Sequence, residues 1–172
     1  MNKDHAQHAS MPPPALCESW SITKPQVQST GGIVAAQHHE AARIGADVLI
    51  AGGNAMDAAL AAAMALSVVE PWLSGLGGGG FLLHCSSEGH VETLNFNLRA
   101  PMAADPKDYP LEGGDSEDWF NWPKVQNDCN LIGPMSICIP GAVAGLDEDL
   151  ARHGTLRWAE GLAPTLELGE RR

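Results

Sequence analysis

The sequence predicts a mixed α+β fold in which one buried helix lies beside short strands. Residues 54–69 form an apolar, alanine-dense run that begins with a favoured helix N-cap residue. Residues 81–96 contain two strand-like runs separated by the turn Ser86-Ser87-Glu88-Gly89, which is the pattern of a β-hairpin. A further helix is predicted at Ala142–Arg152, between a Pro-Gly turn and a glycine stop. Helices and strands are therefore expected in the same domain.

Residues 1–30 are predicted to be a flexible tail. Pro12-Pro13-Pro14 favours an extended polyproline conformation, and the surrounding residues are mostly polar. Met1–Ser19 contains no continuous apolar segment, so a signal peptide is not predicted and a cytoplasmic location is favoured. The domain is expected to occupy residues 31–172 and to begin with a short strand, Ile33–Gln37.

Two helices are predicted next, separated by Gly52-Gly53. The first, Ala41–Ala51, is amphipathic, and the glycine pair permits the left-handed turn that commonly ends a helix. The second begins at Asn54 and carries Asp57 in its first turn, where a negative charge complements the helix dipole. It is apolar all round and is therefore expected to be buried on most sides. A catalytic Asp57 is an alternative, but capping accounts for this residue fully.

A glycine run, Gly75–Gly80, literally matches the G-x-G-x-x-G pattern of dinucleotide-binding proteins. That fingerprint must follow a strand and open a helix, whereas this run follows a helix and precedes a strand. The order counts against a nucleotide-binding module. A tight link that lets strand Phe81–Cys85 pack closely against a neighbour is the favoured interpretation.

The last third of the chain is predicted to begin with an irregular acidic loop at residues 102–130. A short apolar strand, Ser136–Ile139, is expected before the helix Ala142–Arg152. Thr155 is predicted to cap a short helix around Trp158, and Pro164 to restart a helix at a first-turn position.

Composition excludes several classes of partner. The net charge of −11 and a pI near 4.9 argue against nucleic acid, which requires clustered Lys and Arg. Asp57 and the small side chains around it favour a buried core helix over a membrane span. The four cysteines form no Cys-x-x-Cys pair, and the adjacent His38 and His39 lack the i, i+4 spacing of a zinc helix. No metal site is predicted.

Six short motifs follow one another along residues 31–160. They are Gly31-Gly32-Ile33-Val34-Ala35, Ala51-Gly52-Gly53-Asn54-Ala55-Met56-Asp57-Ala58-Ala59, Val69-Glu70-Pro71, Ser74-Gly75-Leu76-Gly77-Gly78-Gly79-Gly80-Phe81, Pro140-Gly141-Ala142-Val143-Ala144-Gly145-Leu146 and Trp158-Ala159-Glu160. In this order and spacing they resemble the N-terminal part of the large subunit of the gamma-glutamyltransferase family. The resemblance covers roughly residues 20–172.

The resemblance implies the four-layer αββα sandwich of the N-terminal-nucleophile hydrolases. It implies acyl transfer from γ-glutamyl compounds by a threonine that self-cleavage exposes at the start of a small subunit, without a metal or organic cofactor. No residue of this chain corresponds to that threonine. The chain is therefore expected to be a truncated scaffold and pocket wall, inactive alone, whose partners are a small γ-glutamyl substrate and the missing small-subunit segment.

Arg99 and Asn97 are the candidate substrate-binding residues. The family's carboxylate-binding arginine usually lies in an Arg-Glu-x-Ala-Pro motif, and alignment on Ala100-Pro101 puts Asn97 at that position. Side chains two residues apart share one face of a strand, so Arg99 could reach the same pocket. The alternative is a structural arginine that pairs with Glu92 or Asp105.

Two other functions remain open at this stage. The chain could be a non-catalytic fragment or pseudoenzyme, since no complete set of nucleophile, base and oxyanion donors is visible. Ser74, Thr30 and Cys85 could each be nominated as nucleophile, but the sequence identifies no partner for any of them. A related amidohydrolase or acylase with another acyl donor is the second alternative.

Overall fold

Four helices and two β-hairpins make up the computed structural model, which describes residues 26–115 and 122–171. The tail predicted for residues 1–30 falls mainly on residues that lie outside this description. The elements in chain order are α1 (His39–Ile50), α2 (Ala55–Val69), β1 (Phe81–Cys85), β2 (Val91–Asn95), β3 (Leu111–Asp115), β4 (Pro123–Val125), α3 (Ala142–His153) and α4 (Trp158–Glu170). The mixed α+β content is as predicted.

Helix α2 packs against the three other helices. Nine of its fifteen residues are buried, as its uniformly apolar sequence predicts. Its alanines allow close approach: a Cβ on Gly45 of α1 would lie 3.0 Å from the carbonyl oxygen of Ala58. Within the described part of the chain, no helix is both long and apolar enough to cross a membrane.

The core consists of two adjoining clusters that share α2. The first joins α1 to α2 and α4, and its largest members are Ile44, Val48 and Leu168. The second is centred on Leu60 of α2 and joins α3, α4 and the first hairpin. Leu60 has no exposed surface. Removing one helix would therefore expose apolar surface on at least one face of α2.

The ends of α1 and the start of α2 follow the predicted chemistry. The Nδ1 atom of His38 accepts a hydrogen bond from the backbone N–H of Glu40 at 3.2 Å, so His38 is the polar start of α1. Gly52 follows the last turn with a φ of +98°, the left-handed conformation that favours glycine. Asn54 then caps α2 by accepting hydrogen bonds from the N–H groups of Met56 and Asp57.

Asp57 does more than cap α2, and this role was not predicted. Its Oδ2 atom accepts from the backbone N–H of Asn54 at 2.8 Å, which completes a capping box. The same carboxylate accepts from the N–H of Thr155 at 2.9 Å, from that of Leu156 at 3.1 Å, and from the Thr155 hydroxyl at 2.6 Å. Asp57 thereby ties the start of α2 to the connection between α3 and α4.

Burial by itself would raise the pKa of Asp57. The hydrogen bonds from the Thr155 hydroxyl and from three backbone N–H groups outweigh it and hold the pKa below its ordinary value of 3.8. The fully buried side chain is therefore a carboxylate at neutral pH.

Strands β1 and β2 form the predicted antiparallel hairpin, with Leu83 opposite Thr93 and His84 opposite Glu92. One more pair of backbone hydrogen bonds joins Gly80 to Phe96. Exposed and half-buried residues alternate along both strands, because one face packs on the helices and the other faces outward.

Three predictions about strands and loops are wrong. Ile33–Gln37 is not a paired strand, because its backbone makes no ladder hydrogen bond with any described residue. The stretch 102–130 is not irregular throughout: β3 pairs with β4, and short 3₁₀ turns flank them. Ser136–Ile139 is not a strand either, and only Ile139 makes a bridge, to Arg99.

The predicted break between two short C-terminal helices is also wrong. Helix α4 runs continuously from Trp158 to Glu170 with Pro164 inside it. Arg157 and Glu160 form the capping box of its first turn. The Thr155 hydroxyl does not cap this helix, because it donates its hydrogen bond to Asp57. Packing of Leu168 into the core stabilises the turns beyond the proline, and tertiary contact here overrides local propensity.

We predict that Asp57→Ala lowers the free energy of unfolding by about 2–4 kcal/mol, because it removes an N-cap interaction and leaves buried donors unpaired. Asp57→Asn should lower the free energy of unfolding by a smaller amount. The contribution of Asp57 is present above its unfolded-state pKa and is lost as pH falls through the lower folded-state value. The difference between wild type and Asp57→Asn in urea unfolding should thus be constant from about pH 5 to 7 and shrink below about pH 4.

Asp47→Ala is the matched control, since Asp47 is also a helical aspartate but is exposed and, among the described residues, forms an ion pair with Arg43 alone. It should cost less than about 0.5 kcal/mol. If Asp47→Ala and Asp57→Ala lowered the free energy of unfolding equally, Asp57 would not tie α2 to the connection between α3 and α4.

Candidate functional site

A cleft of about 320 Å³ lies where the end of the first hairpin meets the start of α3. Its walls come from two segments distant in sequence, residues 94–99 and residues 139–148. The lining residues are Leu94, Asn95, Phe96, Asn97, Arg99, Ile139, Pro140, Gly141, Ala144, Gly145 and Glu148. Both predicted substrate-binding residues, Asn97 and Arg99, are among them.

The glycine run positions the two walls against each other through its backbone. The carbonyl oxygen of Gly78 accepts hydrogen bonds from the N–H groups of Gly141 and Ala142, both at 3.0 Å. A Cβ on Gly79 would lie 2.6 Å from the backbone nitrogen of Leu98, so only glycine fits there. The run is therefore the tight link that was predicted.

Gly141 and Gly145 on α3 allow Phe96 to enter between the helix and the hairpin. A Cβ on Gly141 would overlap the carbonyl oxygen of Phe96, and a Cβ on Gly145 would overlap its ring. Gly145 is buried. Because Phe96 directly precedes Asn97, this packing sets the position of the strand end that carries the candidate site residues.

Arg99 is held through its backbone and leaves its side chain unpaired. Its N–H and carbonyl groups bond reciprocally to Ile139 at 3.2 and 2.8 Å. The side chain is exposed, and its guanidinium makes no hydrogen bond or ion pair with any described residue. The alternative pairing is not formed: Glu92 bonds to His90 and His153, and Asp105 accepts from the N–H of Lys107.

Asn97 uses its side-chain oxygen locally, since Oδ1 accepts from the N–H of Leu98 at 2.8 Å. Its amide nitrogen makes no hydrogen bond within the described chain and remains available as a neutral donor. An unpaired guanidinium beside an amide donor can bind a carboxylate through two parallel hydrogen bonds.

Glu148 lies on the opposite wall and was missed by the sequence analysis. Its carboxylate accepts from Arg152 Nε at 2.7 Å, one helical turn away, so its charge is largely neutralised. The i, i+4 spacing of these two residues could have signalled the pair. Among the described residues that line the cleft, an anion would therefore meet the unpaired guanidinium of Arg99 and the carboxylate of Glu148, which is paired with Arg152.

A histidine cluster fastens the hairpin to the other end of α3. The rings of His84 on β1 and His153 on α3 stack with centroids 3.9 Å apart. The Nε2 atom of His153 lies 3.0 Å from Glu92 Oε2, and hydrogen bonds from His90 and His153 hold the pKa of Glu92 below its ordinary value. Among residues 26–115 and 122–171, no three His, Cys, Asp or Glu side chains are arranged to hold a metal ion. The cluster keeps the hairpin, and hence one cleft wall, in register with α3.

None of the nominated nucleophiles has a base beside it. Cys85 Sγ contacts only the carbonyl oxygen of Ser86, at 3.6 Å, and neither Ser74 nor Thr30 has a side-chain hydrogen bond to a described histidine or carboxylate. Within the described part of the chain, none of the three nominated nucleophiles is hydrogen-bonded to a base.

Comparisons with known proteins identify the family of the chain. Residues 41–171 match the family model of gamma-glutamyltranspeptidase. The chain is 36% identical over 141 residues to the glutathione hydrolase proenzyme of Bacillus subtilis, covering 81% of this chain and 23% of that protein. It is 35% identical over 167 residues to the acylase ACY 1 proenzyme of Pseudomonas sp. (strain SE83), covering 95% of this chain and 29% of the acylase.

A solved structure, that of Helicobacter pylori gamma-glutamyltranspeptidase, superposes with a TM-score of 0.73 at 31% identity. The superposition covers 84% of this chain and 39% of the solved one. The chain spans between 20% and 29% of the length of the curated relatives it matches.

We predict that Gly145→Ala destabilises the fold by about 1–3 kcal/mol, because the added methyl group must displace the Phe96 ring. Gly169→Ala in α4 is the control, since nothing lies within 4 Å of its added Cβ. It should be neutral or stabilise by up to about 1 kcal/mol through helix propensity. Thermal unfolding shows whether each substitution lowers or raises the stability. If Gly145→Ala leaves the unfolding midpoint unchanged, the Phe96 ring does not pack tightly against α3.

Proposed function

The chain belongs to the gamma-glutamyltranspeptidase family, and we propose that the whole protein transfers or hydrolyses γ-glutamyl groups, with this chain as one wall of its acyl-donor pocket. The unpaired Arg99 guanidinium in the hairpin–α3 cleft carries the proposal. A γ-glutamyl donor has a free α-carboxylate, and Arg99 is the positively charged side chain placed in this cleft to bind it bidentately. Asn97 adds a neutral hydrogen bond from the same wall.

The proposed mechanism assigns binding to this chain and chemistry to the rest of the protein. A threonine at the start of a small subunit attacks the γ-amide carbonyl, and its own amine takes the hydroxyl proton. The amide C–N bond then breaks, and the amine leaves with that proton. Water or another amine finally attacks the acyl–threonine ester, takes the acyl group and releases the threonine hydroxyl. Arg99 and Asn97 hold the α-carboxylate so that the γ-carbonyl lies at a fixed distance from the threonine, which supplies proximity and not bond cleavage.

We also propose that the remaining segment completes an αββα sandwich over the first hairpin. The outer face of this hairpin carries apolar side chains that are largely exposed, including Phe81 at 66% and Leu83 at 71%. An isolated two-stranded sheet is only marginally stable, and apolar residues on both faces are typical of sheets covered on both sides. The relatives have the additional length that such a second layer requires.

An acylase with a different acyl donor is the second candidate function. Two observations favour it: the match to the ACY 1 proenzyme extends over 95% of this chain, and asparagine occupies the usual position of the carboxylate-binding arginine. The two candidates differ in whether the α-carboxylate of the donor matters.

We predict that the 172-residue chain alone does not release the chromophore from a γ-glutamyl anilide. Its described residues bring no nucleophile and base together, and binding alone contributes little rate. Turnover that scales with the concentration of pure chain would contradict this prediction. A chain that is also inactive after completion with a small subunit would favour the non-catalytic fragment instead.

The donor preference is tested in a chimera in which this chain replaces the matching segment of the Bacillus subtilis proenzyme. We predict that Arg99→Ala lowers kcat/KM for the γ-glutamyl anilide by roughly 10- to 150-fold, since a charge-assisted hydrogen bond is worth about 1.5–3 kcal/mol. Arg99→Lys should retain only part of the wild-type kcat/KM, because lysine keeps the positive charge but lacks the planar guanidinium that donates two parallel hydrogen bonds.

The 4-aminobutyryl anilide, which lacks the α-carboxylate, provides the internal comparison, and its kcat/KM should not respond to Arg99→Ala. Arg43→Ala on α1 is the matched control, because that arginine is occupied by Glu40 and Asp47. Equal loss for both donors would show that Arg99 does not bind the carboxylate and would leave the acylase as the better candidate.

A further inference from the structure

Tyr109 joins two segments that lie apart in the sequence and that both lead to the hairpin–α3 cleft. Its hydroxyl donates a hydrogen bond to the carbonyl oxygen of Met135 at 2.9 Å, across 26 positions of sequence. It is the single tyrosine of the chain, and the residue is half-buried. We propose that Tyr109 is a positioning residue for Arg99, on whose backbone it acts through Met135 and Ile139.

Among the described residues, two sets of hydrogen bonds close these segments into a frame. We name it the Arg99 frame, with residues 99–109 on one side and 135–139 on the other. At the cleft, the backbones of Arg99 and Ile139 exchange hydrogen bonds of 3.2 and 2.8 Å. The bond from Tyr109 lies at the far end of the frame. A single bridge allows two segments to pivot about it, whereas a second contact away from the bridge fixes their relative direction.

The longer side of the Arg99 frame is stiffened by local turns. The N–H of Ala104 donates to the carbonyl oxygen of Pro101 at 3.0 Å. A 3₁₀ turn, Pro106–Asp108, follows, and Asp105 caps it by accepting a hydrogen bond from the N–H of Lys107 at 3.0 Å. These turns restrict the backbone rotations inside this side of the frame, so a shift at one end is passed to the other.

The shorter side begins in a second 3₁₀ turn, Pro134–Ser136, which contains Met135. The Ser136 hydroxyl donates to the carbonyl oxygen of Gly133 at 2.7 Å, and the Ser136 N–H donates to the same oxygen at 3.1 Å. Because Met135 is held in this turn, the bond from Tyr109 positions the whole run that leads to the bridge.

Arg99 depends on its backbone for direction, because its guanidinium makes no hydrogen bond or ion pair with any described residue. The guanidinium lies at the end of a long side chain, so a small rotation of the backbone displaces it by a larger distance. Packing of Phe96 fixes the strand before Arg99, and the Arg99 frame fixes the chain after it. The inference rests on the proposed function, because it takes Arg99 as the group that binds the donor carboxylate.

Tyr109→Phe in the Bacillus subtilis chimera removes the hydroxyl and keeps the ring. We expect kcat/KM for the γ-glutamyl anilide to fall roughly 2- to 10-fold, since one neutral hydrogen bond changes an equilibrium by about this factor. The kcat/KM for the 4-aminobutyryl anilide should not change, because that donor has no α-carboxylate. A general weakening of the fold would lower both values.

The Arg99→Ala background separates an action through Arg99 from an action elsewhere. If Tyr109 acts through Arg99, Tyr109→Phe should have no further effect on kcat/KM once the guanidinium is absent. Ser67→Ala is the matched control, because the Ser67 hydroxyl also donates to a backbone carbonyl, that of Met64 at 2.6 Å, but within α2. It should leave the ratio of kcat/KM for the two donors at its wild-type value.

Amide exchange measured by NMR in the 172-residue chain tests the Arg99 frame without any activity. The N–H groups of Arg99 and Ile139 are the donors of the bridge, and Tyr109→Phe should speed their exchange roughly 2- to 10-fold. The N–H of Phe96, which donates to Gly80 at 3.0 Å, is the internal control. It should exchange at the same rate in wild type and variant.

The outcomes separate this inference from the proposed function. If Arg99→Ala abolishes the preference for the γ-glutamyl anilide and Tyr109→Phe leaves that preference unchanged, the inference is overturned and the proposed function stands. If Tyr109→Phe speeds exchange at the bridge but Arg99→Ala lowers kcat/KM equally for both donors, the frame is supported and the proposed function is overturned. Unchanged exchange at Arg99 and Ile139, or a Tyr109→Phe effect that persists in full in Arg99→Ala, would also overturn the inference.

Discussion

The Asp57 carboxylate accepts hydrogen bonds from the backbone of Asn54 and from that of Thr155, which lie far apart in sequence. Through them it caps α2 and fixes the connection that leads from α3 into α4. A buried carboxylate is tolerated only when its oxygens are well supplied with donors, and four donors converge on this one. Because α2 packs against the other three helices, the position of every helix depends on this contact.

A second constraint on the candidate site is that several of its contacts are made by glycines, which have no side chain. Gly78 and Gly79 bring the glycine run into contact with α3 and with the end of the hairpin, and Gly145 accepts the Phe96 ring. A Cβ added at Gly79 or Gly145 would not fit, so these contacts let the two walls of the cleft approach closely. Arg99 and Asn97 therefore lie on a strand end that is held by the Phe96 ring and by backbone contacts, which suits preorganised binding.

The described residues form a well-packed helical layer with an unfinished opposite side. Core side chains such as Ile44 and Leu60 are fully enclosed, while Phe81, Leu83 and the backbone of residues 33–37 face outward without partners. Exposed apolar surface of this extent is typical of an interface and not of a finished surface. This distribution fits a chain that spans less than a third of the length of its curated relatives.

Features that depend on neighbours within four residues were predicted correctly: the left-handed Gly52, the Asn54 cap, the burial of α2 and the hairpin turn before His90. The motif order was also sufficient to identify the family, since the model match covers residues 41–171.

Features that require a distant partner were decided only by the tertiary structure. Asp57 was predicted as a cap, yet Thr155 and Leu156 cannot be chosen as its donors from their sequence positions. Pro164 was expected to begin a helix, but packing of Leu168 carries α4 through it. Strand propensity at Ile33–Gln37 does not make a ladder, because a strand needs hydrogen bonds from another segment. Local chemistry in the sequence therefore determined the end of α1 and the start of α2, whereas long-range packing determined the course of α4 and which distant groups meet.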